Sequence, residues 1–275
     1  MIISRTPHRV SFLGGGTDYE QWYKNHPGAI LGGAINHYVY VCMHDGKITH
    51  FSDLPTKSGL ASSSAYTVGL LRACSTSSPV EIARMATTLE IEKTGGMVGS
   101  QDQYLCAVGG FHHLRFSEHG IRDTAIKQAI VKPLEQYLML FDTHQYRMNG
   151  AVIPQQLKEM EQHKEVYEQM ALMADKGRLL IEAGSWPEFG ELMNSAWQLK
   201  RQLSNVISTP AIDSIYEAAM KAGAWGGKLL GGGGGGFIVF AVPLDKQESV
   251  KQALNDLTQA TFQFEFEGAR VIYSD

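Results

Sequence analysis

Six consecutive glycines, Gly231–Gly236, stand between two apolar runs, KLL at 228–230 and FIVFAV at 237–242. A glycine run in isolation has the composition of a flexible linker. Between sequences that read as buried strands it implies something stricter. The chain must turn tightly where a backbone or a ligand comes too close for a side chain. Gly226–Val242 is therefore predicted as strand, glycine loop and strand. The chain has 29 glycines, and they cluster at Gly14–Gly16, Gly95–Gly96 and Gly231–Gly236. Lys228, just before the run, reads either as a phosphate-binding group or as a solvated cation.

At 275 residues the chain has material for one large domain or two small ones, with a real core. A hydrophobic fraction of 44% and a charged fraction of 19% argue against a disordered chain. The net charge of −4 argues against wholesale nucleic-acid binding. Cys42, Cys74 and Cys106 form no C-x-x-C pair, so neither a zinc site nor a disulfide framework is expected, and a cytoplasmic setting fits. The opening MIISRTPHRVSFLGGGTDY is not a signal peptide, and no apolar run reaches the roughly 18–20 residues of a membrane span. The expected partner is a small molecule, without nucleic acid or membrane, and the oligomeric state stays open.

Short β-type runs fill the first half: Ile2–Ser4, Arg9–Leu13, Ala29–Ile35, Tyr38–Met43 and Lys47–Phe51. Helices are predicted at Ser62–Cys74, Ser78–Lys93 and Gly99–Val108, the second with a capping box of Ser78 and Glu81 and Pro79 at its first position. Strands follow at Gly110–Phe116 and Tyr137–Asp142. The second half reads as helices at Pro154–Ala183, Trp186–Leu203 and Pro210–Ala222, the glycine unit, a helix at Leu244–Gln259 and a strand at Phe262–Tyr273. The boundary falls near Asp142–Gly150, giving domains 1–145 and 146–275.

Three segments carry chemistry. In LPTKSGLASSSAYTV, Leu54–Val68, a Pro/Gly loop opens onto a helix that begins with three serines. Free N–H groups at a helix start, with the helix dipole, attract phosphate oxygens. Small residues allow close approach, and serine hydroxyls bond phosphate or Mg²⁺. The plainer alternative is an N-capped helix after a turn. No G-K-[ST] follows, so this is not a Walker A loop. In EIEKTGGMVGSQDQ, Glu90–Gln103, two carboxylates flank a glycine-marked loop; Asp102 is either a helix cap or a proton acceptor beside a metal held by Glu90. The glycine run is the third.

Together these segments resemble the GHMP kinase superfamily. Pro55–Val68 is similar to its P-x-x-x-G-L-x-S-S-A motif, Gly226–Phe240 to its glycine motif, and TPHRVSFLGGGTDY at Thr6–Tyr19 to its first motif. Within the superfamily, SRTPHRVSFLGGGTDYEQW, GSQDQY and KLLGGGGGGF are most similar to bacterial D-glycero-D-manno-heptose 7-phosphate kinases. The resemblance implies an α+β two-domain fold, with a mixed N-terminal domain and a ferredoxin-like C-terminal domain, and a site in the cleft between them. It implies transfer of the γ-phosphoryl group of ATP, with Mg²⁺, to a sugar hydroxyl, the anomeric one of a phosphorylated heptose.

By the same resemblance Asp102 is the base and Arg9 its basic partner. Gly59, Leu60, Ala61, Ser62, Ser63 and Ser64 hold the nucleotide phosphates, and Ser63 and Glu90 hold the metal. Gly15, Gly16, Thr17, Asp18, Gly233 and Gly234 meet the substrate. Arg147, in FDTHQYRMNG, reads either as the group that meets a distal phosphate or as a solvated loop residue. Gly15 and Gly16 replace the Glu-His of galactokinases, which removes a galactose contact, and Ala61 replaces a usual glycine. The stretches Met43–Phe51 and Cys74–Ser78 are short for the family, so no adenine-binding residue is assigned. The rival readings are a kinase for fucose, galactose or a mevalonate-like alcohol, and a catalytically silent sugar sensor.

Overall fold

The computed structural model describes residues 1–146 and 152–275; Arg147 lies outside the described residues. In chain order the first half runs β1 Ile2–Leu13, α1 Glu20–Tyr23, β2 Gly28–His44, β3 Lys47–Ser52, α2 Ser62–Cys74, α3 Pro79–Thr94, α4 Gln101–Val108, β4 Phe111–Ser117, β5 Gly120–Ile126, α5 Gln128–Val131 and β6 Leu138–Asp142. The second half runs α6 Val152–Lys158, α7 Lys164–Ala183, α8 Trp186–Arg201, α9 Pro210–Lys221, β7 Gly226–Leu229, β8 Phe237–Ala241, α10 Gln247–Ala253, β9 Thr258–Ala260 and β10 Arg270–Ser274.

The first sheet has the order β10-β1-β2-β4-β5, with β3 also paired to β2. Two pairs of predicted strands are each one continuous strand. The chain passes Pro7 and Asn36–His37 by shifting register: Pro7 faces Tyr38, and His8 faces Ile35. A bulge of this kind absorbs a proline and re-aims the residues after it, which here begin with His8 and Arg9. The short stretch after Met43 closes as a hairpin at Asp45-Gly46, both with positive φ, between the paired residues His44 and Lys47. The capping box of α3 is formed, with Ser78 N–H on Glu81 Oε2 at 2.8 Å.

The second sheet is antiparallel, with the order β7-β8-β6-β9. Its succession of β6, helices, β7, β8, α10 and β9, with β6 and β8 central, is the ferredoxin-like arrangement. Sheet membership does not follow a cut at 145: β6 belongs to the second sheet, and β10 returns to the first. The predicted helix Pro154–Ala183 is interrupted by a 3₁₀ turn at Met160–His163. The predicted strand Phe262–Tyr273 is mostly irregular, touching the first sheet through an Ile35–Phe264 bridge before β10 begins.

Among the described residues, three apolar cores organise these layers. One lies under α2, α3 and α4, where Ile30, Val39 and Val41 meet Val68, Ile82 and Leu105. A second fills the second half around Trp197, Phe240 and Tyr167. The third joins the halves, packing Val10, Phe12 and Leu31 of the first sheet against Ala174, Phe189 and Val239. The halves thus share a continuous interior, and the cleft opens along its edge.

Candidate active site

The loop before α2 is held from behind by the glycine run. Gly59 has φ +83°, and a Cβ there would stand 2.5 Å from Leu230 O. Phe237 N–H donates to Ser58 O at 2.9 Å, and a Cβ on Gly236 would stand 2.2 Å from that same carbonyl. The six glycines are therefore no linker. Gly231 and Gly236, at the two ends of the run, are the surface on which the serine-rich loop lies.

Ala61 enters α2 with left-handed backbone, φ +65°, and no side chain caps the helix. A residue with a Cβ pays roughly 1–2 kcal/mol for that conformation, which the family's usual glycine avoids. The first N–H groups of α2 face the cleft uncapped, because the serines are used otherwise. Ser62 Oγ accepts from Lys57 N–H at 3.3 Å. Ser64 is buried and donates to Glu90 at 2.8 Å, while Ser63 is exposed on the cleft wall. Leu60, expected at the phosphates, is wholly buried, and its carbonyl accepts from Arg9 N–H and His8 Nδ1.

Glu90, on α3, is 5% exposed and faces three donors: Ser64, Thr67 Oγ1 at 2.8 Å and Gln103. Its carboxylate and the serine hydroxyls form an all-oxygen set, the kind that suits a hard cation shared with nucleotide phosphates. Among the described residues, no group of three His, Cys, Asp or Glu side chains forms a metal cage.

Arg9 leaves the bulge of β1 nearly buried and grips Asp102 in a fork, Nε to Oδ1 and Nη2 to Oδ2, both at 2.8 Å. Its Nη1 donates to Gly59 O at 2.7 Å. Burial alone lowers the Arg9 pKa; the charge and hydrogen bonds of Asp102 outweigh it and hold the guanidinium above its ordinary value. Asp102 stands in the first turn of α4, yet both oxygens are committed to Arg9, so it is not the helix cap. One arginine thus ties the carboxylate to the serine-rich loop.

The other end of the cleft is built on the Gly14–Asp18 turn. Gly15, Gly16 and Asp18 line it. Asp18 accepts from Gly16 N–H at 2.9 Å and Gln101 N–H at 3.3 Å. Burial, then the charge of Asp102, pushes its carboxyl above the ordinary range against those bonds. Thr17, expected at the substrate, is buried and bonds Gly14 O and Ala29 O instead, pinning the turn to β2. Gly233 and Gly234, read as substrate contacts, lie a step further from the cleft. They pack on Ile207, with Gly234 N–H donating to Ile207 O, whereas Gly231 and Gly232 reach the cleft.

The sequence reading passed over Ser11, Gln101 and Lys200 here, and left Lys228 as either a phosphate-binding group or a solvated cation. Ser11 Oγ and Gln101 Oε1 are buried, belong to cleft-lining residues, and have no hydrogen-bond partner among the described residues. Lys200 and Lys228, each 5% exposed, line the same end, and Lys200 Nζ donates to Gly231 O. Burial, then the charges of Lys200 and Arg9, lowers the Lys228 pKa well below the lysine range, with Asp18 acting in the opposite sense. One signal was legible. Lys200 falls on the apolar stripe of α8 with Phe189, Met193, Ala196 and Trp197. A charge on a buried helix face needs a reason. The whole cleft has a volume of about 470 Å³.

His8 braces the site from below, with Nδ1 on Leu60 O at 3.0 Å and Nε2 by Ser52 Oγ at 3.1 Å. Burial lowers its pKa from 6.5 to about 4, against that carbonyl bond. With the folded value below the unfolded one, its stabilising contribution is present above pH 6.5 and lost as pH falls toward 4. About 2 kcal/mol should be gone by pH 5. Urea unfolding from pH 7.5 to 5 should lose this slope in His8→Gln; an unchanged slope would place the pH sensitivity elsewhere. His112 and His113 stay apart from the site, paired on β4 with Asp123 and Asp175.

Comparison with known proteins agrees with this geometry. Residues 30–110 match the GHMP kinases N terminal domain, and residues 178–259 match GHMP kinases C terminal. The D-glycero-alpha-D-manno-heptose 7-phosphate kinase of Campylobacter jejuni subsp. jejuni serotype O:2 is 26% identical, over 92% of this chain and 93% of that one. The crystal structure of a D-glycero-D-manno-heptose 1-phosphate kinase from Bacteriodes thetaiotaomicron superimposes with a TM-score of 0.79 at 25% identity, covering 100% of both chains. Lactococcus lactis galactokinase, at 15% identity, shares the fold with a TM-score of 0.75, over 98% of this chain and 94% of that one. With an uncapped helix start, a gripped carboxylate and both domain matches in place, the chain belongs to the GHMP kinase family.

Proposed function

We propose that the protein is an ATP-dependent sugar kinase whose acceptor is D-glycero-D-manno-heptose 7-phosphate, phosphorylated at its anomeric hydroxyl. The observation that carries the reading is the position of Asp102. Its carboxylate is forked by Arg9 between the phosphate-binding helix start and the polar pocket of Ser11, Gly15, Asp18 and Gln101. The heptose phosphate kinases named above support the choice of sugar.

In this reading Asp102 takes the proton of the attacking hydroxyl, and Arg9 fixes its direction. The start of α2 and Lys57 hold the nucleotide phosphates, so that positioning and charge neutralisation do most of the work. Ser63 and Glu90 would hold Mg²⁺, which screens phosphate charge when bound. Ser64 and Thr67 keep Glu90 oriented. Ser11 and Gln101 are free to bond sugar hydroxyls.

A coupled ADP-release assay over sugars, sugar phosphates and polyols tests this. Turnover is expected with the heptose 7-phosphate and little with galactose or mevalonate. Turnover of an unphosphorylated polyol alone would overturn the heptose assignment and keep the kinase. Saturable sugar binding without ADP release would favour a sensor.

A further inference from the structure

We infer that the bare backbone of Gly15, with the side chains of Ser11 and Gln101, forms a subsite for one particular hydroxyl of the acceptor, the one on the carbon next to the reacting hydroxyl. The inference rests on the kinase reading above and names a group by which the site selects its substrate.

The glycines of the Gly14–Asp18 turn answer two different needs. Gly14 and Gly16 are imposed by the backbone, with φ values of +78° and +112°, and a Cβ on Gly14 would stand 1.8 Å from Ala29 O. Gly15 is under no such demand. Its φ is not positive, and a Cβ there would meet only ordinary contacts, 3.4 Å from Ser11 Oγ and 3.6 Å from Gln101 Nε2. Neither the turn nor its packing excludes a side chain, so the space is kept for what enters the cleft.

The two groups that flank this space lack partners. Ser11 Oγ and Gln101 Oε1 are buried without a hydrogen bond among the described residues, and Gln101 Nε2 makes none either. A hydroxyl and a primary amide offer donors and acceptors together, the complement of a sugar hydroxyl, which both donates and accepts. Leaving buried polar groups unpaired is unfavourable, and a ligand hydroxyl between them relieves it.

Position identifies that hydroxyl. Ser11 is two residues beyond Arg9 on β1, so both point to the same side of the strand, and Gln101 adjoins Asp102 at the start of α4. The Ser11–Gln101 pair is therefore the direct neighbour of the Arg9–Asp102 fork, and all four residues line the cleft. Gln101 is held there by its own N–H on Asp18 Oδ2. With the anomeric hydroxyl at Asp102, the neighbouring pair takes the hydroxyl on C2.

The test is a binding measurement. Calorimetric affinities for D-glycero-D-manno-heptose 7-phosphate and its 2-deoxy and 4-deoxy analogues are compared in the parent, Ser11→Ala, Gln101→Met and Gly15→Ala, with the nucleotide end saturated by a non-hydrolysable MgATP analogue. The parent should bind the 2-deoxy compound roughly 10–100-fold more weakly than the intact sugar, the worth of two or three hydrogen bonds. In Ser11→Ala and Gln101→Met that gap should narrow by about threefold or more. Gly15→Ala should weaken the intact sugar about tenfold and leave the 2-deoxy compound nearly unaffected, because its Cβ crowds the hydroxyl's place. A purely structural role would lower both affinities alike. A parent indifferent to the 2-hydroxyl, or more sensitive to the 4-hydroxyl, overturns the subsite. So does a parental gap that survives in variants shown by urea unfolding to be folded, and so does a parent that does not bind the heptose phosphate. Absence of ADP release with these preferences intact overturns the kinase reading alone.

Discussion

Asp102→Asn is expected to lower kcat by roughly 10²–10⁴-fold, the usual worth of a positioned general base, with nucleotide affinity nearly intact. The substitution keeps the shape and one oxygen for Arg9, and removes the charge and the proton acceptor. The phosphate and metal positions proposed above, on α2 and at Glu90, do not pass through Asp102. Asp102 caps no helix, but it is the counter-charge of the buried Arg9, so urea unfolding of the variant is measured beside the kinetics to separate loss of rate from loss of fold. Steady-state kinetics with nucleotide and acceptor varied separately decide the matter. A near-parental kcat would remove the base assignment, and a loss confined to the nucleotide KM would move Asp102 into phosphate binding.

Arg9→Met should cost both fold and rate. It strips the Asp102 carboxylate of its fork and leaves Gly59 O without the Nη1 donor. Breaking a buried pair by removing one partner typically destabilises by about 3–5 kcal/mol, and the partial exposure of Asp102 puts the expectation toward the lower end, about 3 kcal/mol. Arg9→Lys should rescue little, because an ammonium cannot make two parallel bonds to a carboxylate and a third to a carbonyl. Urea midpoints and kcat for both variants are the measurements. Full recovery of rate in Arg9→Lys would mean that charge alone suffices and the fork is dispensable.

The parts of this site that were legible in the sequence are those set by local chemistry. The serine-rich helix start is marked by its loop residues, and α2 spans Ser62–Cys74 as read. The capping box placed α3, and glycine spacing placed the hairpin of β7 and β8. What long-range packing decides was not legible. Gly233 and Gly234 look like their neighbours in sequence, but the approach of Ile207 turns them from the cleft. Thr17 looks like a ligand contact until β2 lies beside it. Ser11 and Gln101 are ordinary polar residues of a strand and a helix, and only their convergence in one pocket leaves their oxygens unpartnered. Strand β5 was missed because its exposed GIRDTAI lacks a clear alternation.

The pairing of β10 with β1 bears on how the chain is made. Residues 270–274 complete the edge of the sheet that carries Arg9, while Gln263 and Glu265 have already bonded Asn36 and Ala34. A ribosome delivers this segment long after β1 and the serine-rich loop have emerged. Until then β1 has an unpaired edge, a template for misassociation in crowded surroundings. Contacts that span nearly the whole chain also slow folding, because loop closure is opposed by entropy before the contact stabilises anything. The first sheet therefore cannot be completed by the first half of the chain alone. Its completion awaits β10, and in the interval the edge of β1 stays open.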